Sequence, residues 1–103
     1  MSRRSKACDI SPAVKTKVWA RDGYSCILCG RYVDKSYACC HFISRAQGGI
    51  GIEENIFTAC TDCHRAYDQT VHRRVIRERI RNYLQSKYPG WNEDSLYYKK
   101  YAL

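Results

Sequence analysis

The run ACCHFISRAQGGIGIEENIFTACTDCHRAYD, residues 38–68, decides the fold of this 103-residue chain. It contains one CxxC pair, Cys60 and Cys63. A second pair, Cys26 and Cys29, precedes it, with 30 residues between the two. A CxxC spacing lets both sulfurs reach one ion from a single turn, and four thiolates make the closed tetrahedral shell in which structural zinc is held. A redox dithiol would explain one pair and leave the other without a purpose. Two pairs brought to one ion staple distant parts of a short chain, and metal binding then becomes folding energy. The usual zinc ribbon brings its pairs closer in sequence, so a structured insert is expected between these two.

The insert reads as strand, loop, strand, helix. Residues 37–44 form a short strand, and Gln47-Gly48-Gly49-Ile50-Gly51 a loop. Residues 53–59 lead into a second strand around Ile56-Phe57-Thr58. A helix starts near Asp62 and runs through His64 and Asp68. Three polar positions stand out: His41 near the end of the first strand, Asn55 at the start of the second, and His64 at the opening of the helix. Phosphodiester hydrolysis needs a base for water, a cation on the phosphate and the leaving oxygen, and rigid placement of both. A neutral histidine is the natural base near neutral pH. His64 and Asp68 lie at i, i+4, so their side chains face the same way. The helix N-terminus also offers amide dipoles to a phosphate.

Outward from this run, Ser11-Pro12 opens a helix as N-cap and first residue, and Asp22-Gly23 stops it. Val14, Val18 and Trp19 form its apolar stripe. A longer helix spans roughly 70–87, with Ile76, Ile80, Tyr83 and Leu84 on one stripe and Arg74, Arg77 and Arg81 on an adjacent face. Pro89-Gly90 ends it, and the aromatic tail is expected to add a helical turn or two around 93–100. Residues 1–10 are polar, basic and expected to be loose. The fold class expected is α+β: a zinc-stapled domain with a two-stranded antiparallel hairpin plus helix, flanked by N-terminal and C-terminal helices. One domain is expected over 1–103, with the knuckle and strand-strand-helix motif in 20–70 and a basic, aromatic extension in 70–103.

The formal net charge is +8, as suits a polyanion binder. Mean hydropathy is −0.57, and no apolar run approaches the ~20 residues of a spanning helix. The N-terminus has charges without an apolar stretch behind them, so no secretory signal is expected. Seven cysteines, an odd number, in a chain read as intracellular point to metal rather than disulfides. A soluble, cytoplasmic protein without membrane contact is the expectation.

The order CxxC, His followed by a Gly-Gly loop, Asn, then CxxCH resembles the HNH endonuclease family, the ββα-metal nucleases. Arg21-Asp22-Gly23-Tyr24 and the run HFISRAQGG resemble its small phage-encoded members. The resemblance covers about residues 20–70. It implies His41 as the general base, Asn55 as the residue that pins the loop and orients that base, and His64 as a ligand of a catalytic divalent metal (Mg²⁺, Mn²⁺, Ni²⁺ or Zn²⁺). Asp68 falls where some members have a further ligand. It also implies DNA as the substrate, products with a 5′-phosphate and a 3′-hydroxyl, and a phage packaging protein as one kind of partner, in a bacterial host. Arg45 and Arg65 are candidate phosphate clamps near the site, with Arg74, Arg77 and Arg81 as further phosphate contacts.

One position departs from the family pattern. The residue before the base is commonly Asp or His and binds the metal; here it is Cys40. A thiolate there would favour zinc or another transition ion over magnesium. In a regular strand Cys39 shares a face with His41, and Cys40 points away. Cys39, Cys40 or neither remains open as a ligand. A non-catalytic zinc module that binds DNA or a protein is the alternative reading.

Overall fold

The computed structural model describes residues 2–37, 39–69 and 71–99. Residues 38, 70 and 100, which belong to the expected first strand, long helix and final turn, lie outside that set. Four α-helices, α1 (Arg3–Cys8), α2 (Pro12–Arg21), α3 (Thr61–Gln69) and α4 (Arg73–Lys87), surround a two-stranded sheet of β1 (Cys39–His41) and β2 (Ile56–Thr58). The strands are antiparallel, with Cys39 opposite Thr58, Cys40 opposite Phe57 and His41 opposite Ile56. This is the α+β arrangement expected. Both strands are shorter than their apolar runs suggest, because 3₁₀ turns take the flanking residues: Arg45–Gln47 after β1 and Glu53–Asn55 before β2.

Local signals place the helices. Ser11 caps α2 by accepting from the Val14 amide at 3.2 Å, with Pro12 in the first turn. α4 ends just before Tyr88-Pro89-Gly90 and buries Ile80 and Leu84. The N-terminal stretch, expected to be loose, instead carries α1, capped by Ser2. Tertiary contacts fix it: the Gly51 amide donates to Ala7 O at 3.0 Å, and Arg4 donates to Ala46 O at 2.9 Å. Charge and polarity do not register such contacts, and six residues are too few to hold a helix by propensity alone.

All three residues of β2 are buried. Phe57 joins Cys40, Phe42, Tyr67, Ile80, Leu84 and Leu96 in the main core. The aromatic tail closes it: Trp91 packs on Phe42 with ring centroids 5.8 Å apart, and its indole donates to Glu54 O at 2.8 Å. Among its described residues the helical turn is the 3₁₀ segment Glu93–Leu96.

A polar clasp ties α2 to β2 and α4. The Asp22 side chain is fully buried and pairs with Arg21 at 2.7 Å. It also accepts from the Thr58 amide at 2.8 Å and the Tyr83 hydroxyl at 2.5 Å. Arg21 in turn donates to Glu53 O at 2.9 Å and Ile56 O at 2.8 Å. Every charge in this buried pair is satisfied, so removing one partner would strand the other. The clasp explains the Arg-Asp at the head of the Arg-Asp-Gly-Tyr run. Among the described residues no helix is long and apolar enough to cross a membrane.

Candidate active site and metal centre

The sulfurs of Cys26, Cys29, Cys60 and Cys63 all lie within 4.8 Å of one another. Cys29 Sγ and Cys60 Sγ are 3.7 Å apart. A tetrahedron with metal–sulfur bonds of about 2.3 Å has corners about 3.8 Å apart, whereas a disulfide would require about 2 Å; the cysteines are free thiols. Backbone amides point at the sulfurs: Leu28 N lies 3.4 Å from Cys26 Sγ, and Cys63 N lies 3.4 Å from Cys60 Sγ. Burial alone would raise the Cys26 thiol, but the amide donors outweigh it and bring the group down to about 7. Burial and the neighbouring sulfurs push Cys63 the other way. Four thiols cannot all ionise together without a cation, and this group could hold a metal such as zinc. The knuckle is wired to the sheet, since Ile27 N donates to Thr58 O at 3.0 Å.

His41 is the last residue of β1 and is half-buried. Its Nε2 lies 2.8 Å from the carbonyl oxygen of Cys8. A carbonyl only accepts, so Nε2 carries the proton of the neutral ring and Nδ1 carries the lone pair. Burial lowers the His41 pKa below the usual histidine value. The Cys8 carbonyl opposes that shift, Arg45 adds to it and Asp9 opposes it. The neutral form therefore prevails at neutral pH.

Asn55 is completely buried at the end of the turn before β2. Its Oδ1 accepts from Ile43 N at 2.8 Å, and its Nδ2 donates to Ile43 O at 3.2 Å and Ile50 O at 2.9 Å. Its own carbonyl accepts from Phe42 N at 2.7 Å. One side chain thus ties both ends of the loop that follows His41. Gly49 is required here because a Cβ would sit 1.7 Å from Ile43 O.

His64 Nε2 and Asp68 Oδ2 are 3.0 Å apart on α3, each about half-exposed at 49%. Cys40 does not join them. It is 5% exposed, in the main core, and burial pushes its thiol up to about 12. Among the described residues, the four cysteines are the only group of three or more His, Cys, Asp or Glu side chains close enough to share an ion. Cys39 lies on the other face of the strand, its sulfur 4.0 Å from Lys15 O, and burial raises its pKa too.

Arg65 and Arg74 are exposed. Arg45 bridges Asp9 at 2.6 Å and reaches Ser5 O at 3.0 Å. Arg77 and Arg81 are more occupied: their guanidinium carbons lie 4.7 and 5.7 Å from the Phe42 ring centroid, and both pair with Glu93. Two contributors were not readable in the sequence. One is the Cys8 carbonyl on His41. The other is Tyr67, whose hydroxyl donates to Phe42 O at 3.1 Å and ties α3 to the residue after His41. A backbone carbonyl leaves no trace in residue identity, and a buried tyrosine at helical spacing reads as core.

No curated protein and no solved structure is matched by this chain. Residues 26–70 match the model of a family described as HNH endonuclease. That span begins at the first knuckle cysteine and takes in His41, Asn55, His64 and Asp68. Over residues 26–70, then, this chain is similar to the HNH endonuclease family.

Proposed function

We propose that this protein is a metal-dependent endonuclease that hydrolyses DNA phosphodiester bonds, with His41 as the general base. The observation that carries the reading is Asn55. A fully buried amide that spends both ends on Ile43 and Ile50 has one effect, which is to make the loop behind His41 rigid. Rigid placement of a base is what hydrolysis of a phosphodiester demands. The lone pair on Nδ1 takes the proton from water, while the Nε2–H stays donated to the Cys8 carbonyl.

His64 and Asp68 form the open metal site. One imidazole nitrogen and one carboxylate, both facing solvent, suit a divalent cation whose remaining positions are filled by water and phosphate oxygens. Such a cation supplies positive charge to the scissile phosphate and the leaving oxygen. Cys40 is left out of the set, because its side chain is buried in the main core and does not come close enough to His64 and Asp68 to share an ion with them. Arg45, Arg65 and Arg74 offer positive charge to flanking phosphates, and Arg77 and Arg81 chiefly hold α4 to Phe42. Cys26, Cys29, Cys60 and Cys63 hold a structural zinc ion.

One feature favours the competing reading of a non-catalytic zinc module: a core thiol stands where the family usually has a metal-binding side chain. Plasmid nicking separates the two. With Mg²⁺, Mn²⁺, Ni²⁺ or Zn²⁺ added, the wild-type protein should relax supercoiled plasmid and His41→Ala should not. Plasmid left supercoiled under every ion would leave the binding module standing.

A further inference from the structure

α1 lies against the candidate active site and encloses a cavity there. The cavity is polar, about 100 Å³, and lined by Ser2, Arg4, Ser5, Cys8 and Arg45. One of its walls is Cys8, whose carbonyl holds His41. Arg4 keeps one hydrogen bond to Ala46 O and forms no ion pair with a described carboxylate. Arg45 is half-neutralised by Asp9, and Ser5 presents a hydroxyl 3.3 Å from its guanidinium.

The arm is fitted to its place rather than resting there. Gly51 has no Cβ because one would lie 2.0 Å from Asp9 O, and its amide is bonded to Ala7 O. Gly48 likewise faces the Arg4 guanidinium, which would sit 3.6 Å from a Cβ there. The loop that Asn55 stiffens is therefore the same loop that seats α1.

We infer that this cavity binds a backbone phosphate of the DNA beside the one attacked, gripped by Arg4 and Arg45 with the Ser5 hydroxyl. The inference rests on the nuclease reading and deepens it: the N-terminal helix becomes part of the substrate site. Two guanidiniums and a hydroxyl are donors only, or donors first, and a phosphodiester oxygen is the acceptor that fits them. An uncompensated arginine in a chain of net charge +8 also releases counterions when it meets a phosphate, which makes the contact readable through salt.

The test uses the full zinc-loaded chain and a labelled DNA duplex, with no divalent cation added so that nothing is cut. Binding is followed by anisotropy over a range of salt for wild type, Arg4→Gln and Arg4→Lys. Arg4→Gln should flatten the plot of log affinity against log salt by about one unit, and Arg4→Lys should restore most of it. Far-ultraviolet circular dichroism checks that α1 and the rest of the helices persist. An unchanged slope in Arg4→Gln, or an equal loss in both variants, would overturn the inference. Titration of wild type with inorganic phosphate by NMR gives an independent reading. Saturable shifts confined to Ser5, Cys8 and Arg45 support the site, and shifts absent there or spread over every basic residue remove it. A wild type that shows the slope change yet leaves plasmid uncut sinks the nuclease reading and spares the cavity. A wild type that cuts, with its salt slope indifferent to Arg4, does the reverse.

Discussion

The four-sulfur group and the His64–Asp68 pair both depend on α3, in different ways. Cys60 directly precedes it and Cys63 lies in its first turn, while His64 follows Cys63 and Asp68 stands one turn further on, both half-exposed. The first group is crowded, with Cys26 and Cys60 buried and Cys29 at the surface, and is made of one kind of soft ligand. The second is open, made of mixed nitrogen and oxygen donors, and short of ligands. A closed soft shell suits an ion that never leaves, and an open hard one suits an ion that must share its positions with water and phosphate. The comparison teaches that one helix carries both a set of sulfurs that could hold a metal and, beginning at the very next residue, a solvent-facing imidazole and carboxylate.

The largest expected effect comes from emptying the sulfur group. Apparent zinc binding energies of about 10–16 kcal/mol match or exceed the ~5–15 kcal/mol that holds a typical domain. Cys60→Ser, or a strong chelator, should therefore abolish the cooperative thermal transition and most of the helical circular dichroism. A chain that melts unchanged without its metal would show that the core alone carries the fold.

Next in size is the base. His41→Ala should lower nicking roughly a hundred- to ten-thousand-fold while zinc content and melting temperature stay close to wild type. The pH profile sharpens this. Because burial depresses the His41 pKa, the acid limb of the rate profile should fall below pH 6.5, the unperturbed value. The stability effect has the matching sign. The unfolded histidine binds the proton more readily, so its contribution to stability falls as pH drops from 6.5 to the folded pKa. An acid limb above 6.5 would contradict the surroundings described for the ring.

Asn55→Ala should cost about 3 kcal/mol, because it leaves Ile43 N and the Ile43 and Ile50 carbonyls buried without partners. It should lower nicking more than this instability alone accounts for, measured well below the melting point. Asp22→Ala makes the useful contrast. It should cost a similar ~3–5 kcal/mol by stranding Arg21, yet leave nicking by the folded fraction nearly intact. Equal activity losses per unit of stability in the two variants would remove the special role of the loop.

The smallest effect expected is at Cys40. Cys40→Ala should lower the melting temperature modestly, as loss of a small core group does, and should leave the preference among divalent ions unchanged. A changed ion preference would return Cys40 to the metal site.

How legible this was in the sequence depends on what each feature is made of. The CxxC pairs carry their geometry in their spacing, and the i, i+4 pair His64 and Asp68 needs only a helix to meet. Ser11-Pro12 and Pro89-Gly90 set helix ends by local chemistry. α1 was not legible, because what folds residues 3–8 is the close approach of Asp9 to Gly51 and of Arg4 to Ala46, contacts between segments some forty residues apart. The choice between Cys39 and Cys40 was half legible. Strand alternation separated their faces, but only the packing of Phe57, Tyr67 and Ile80 decided that the Cys40 face was dry. The row of arginines on α4 looked uniform, and Phe42 and Glu93 divide it into two that pack and one that is free to meet solvent.

The most direct test is a single double variant, His64→Ala with Asp68→Ala, assayed for zinc content and for plasmid nicking in the same preparation. It should hold one tightly bound zinc ion per chain, melt as the wild type does and show no nicking above background under any added ion. Nicking that survives at the wild-type rate, or zinc lost together with activity, would contradict the division of labour between the two sites.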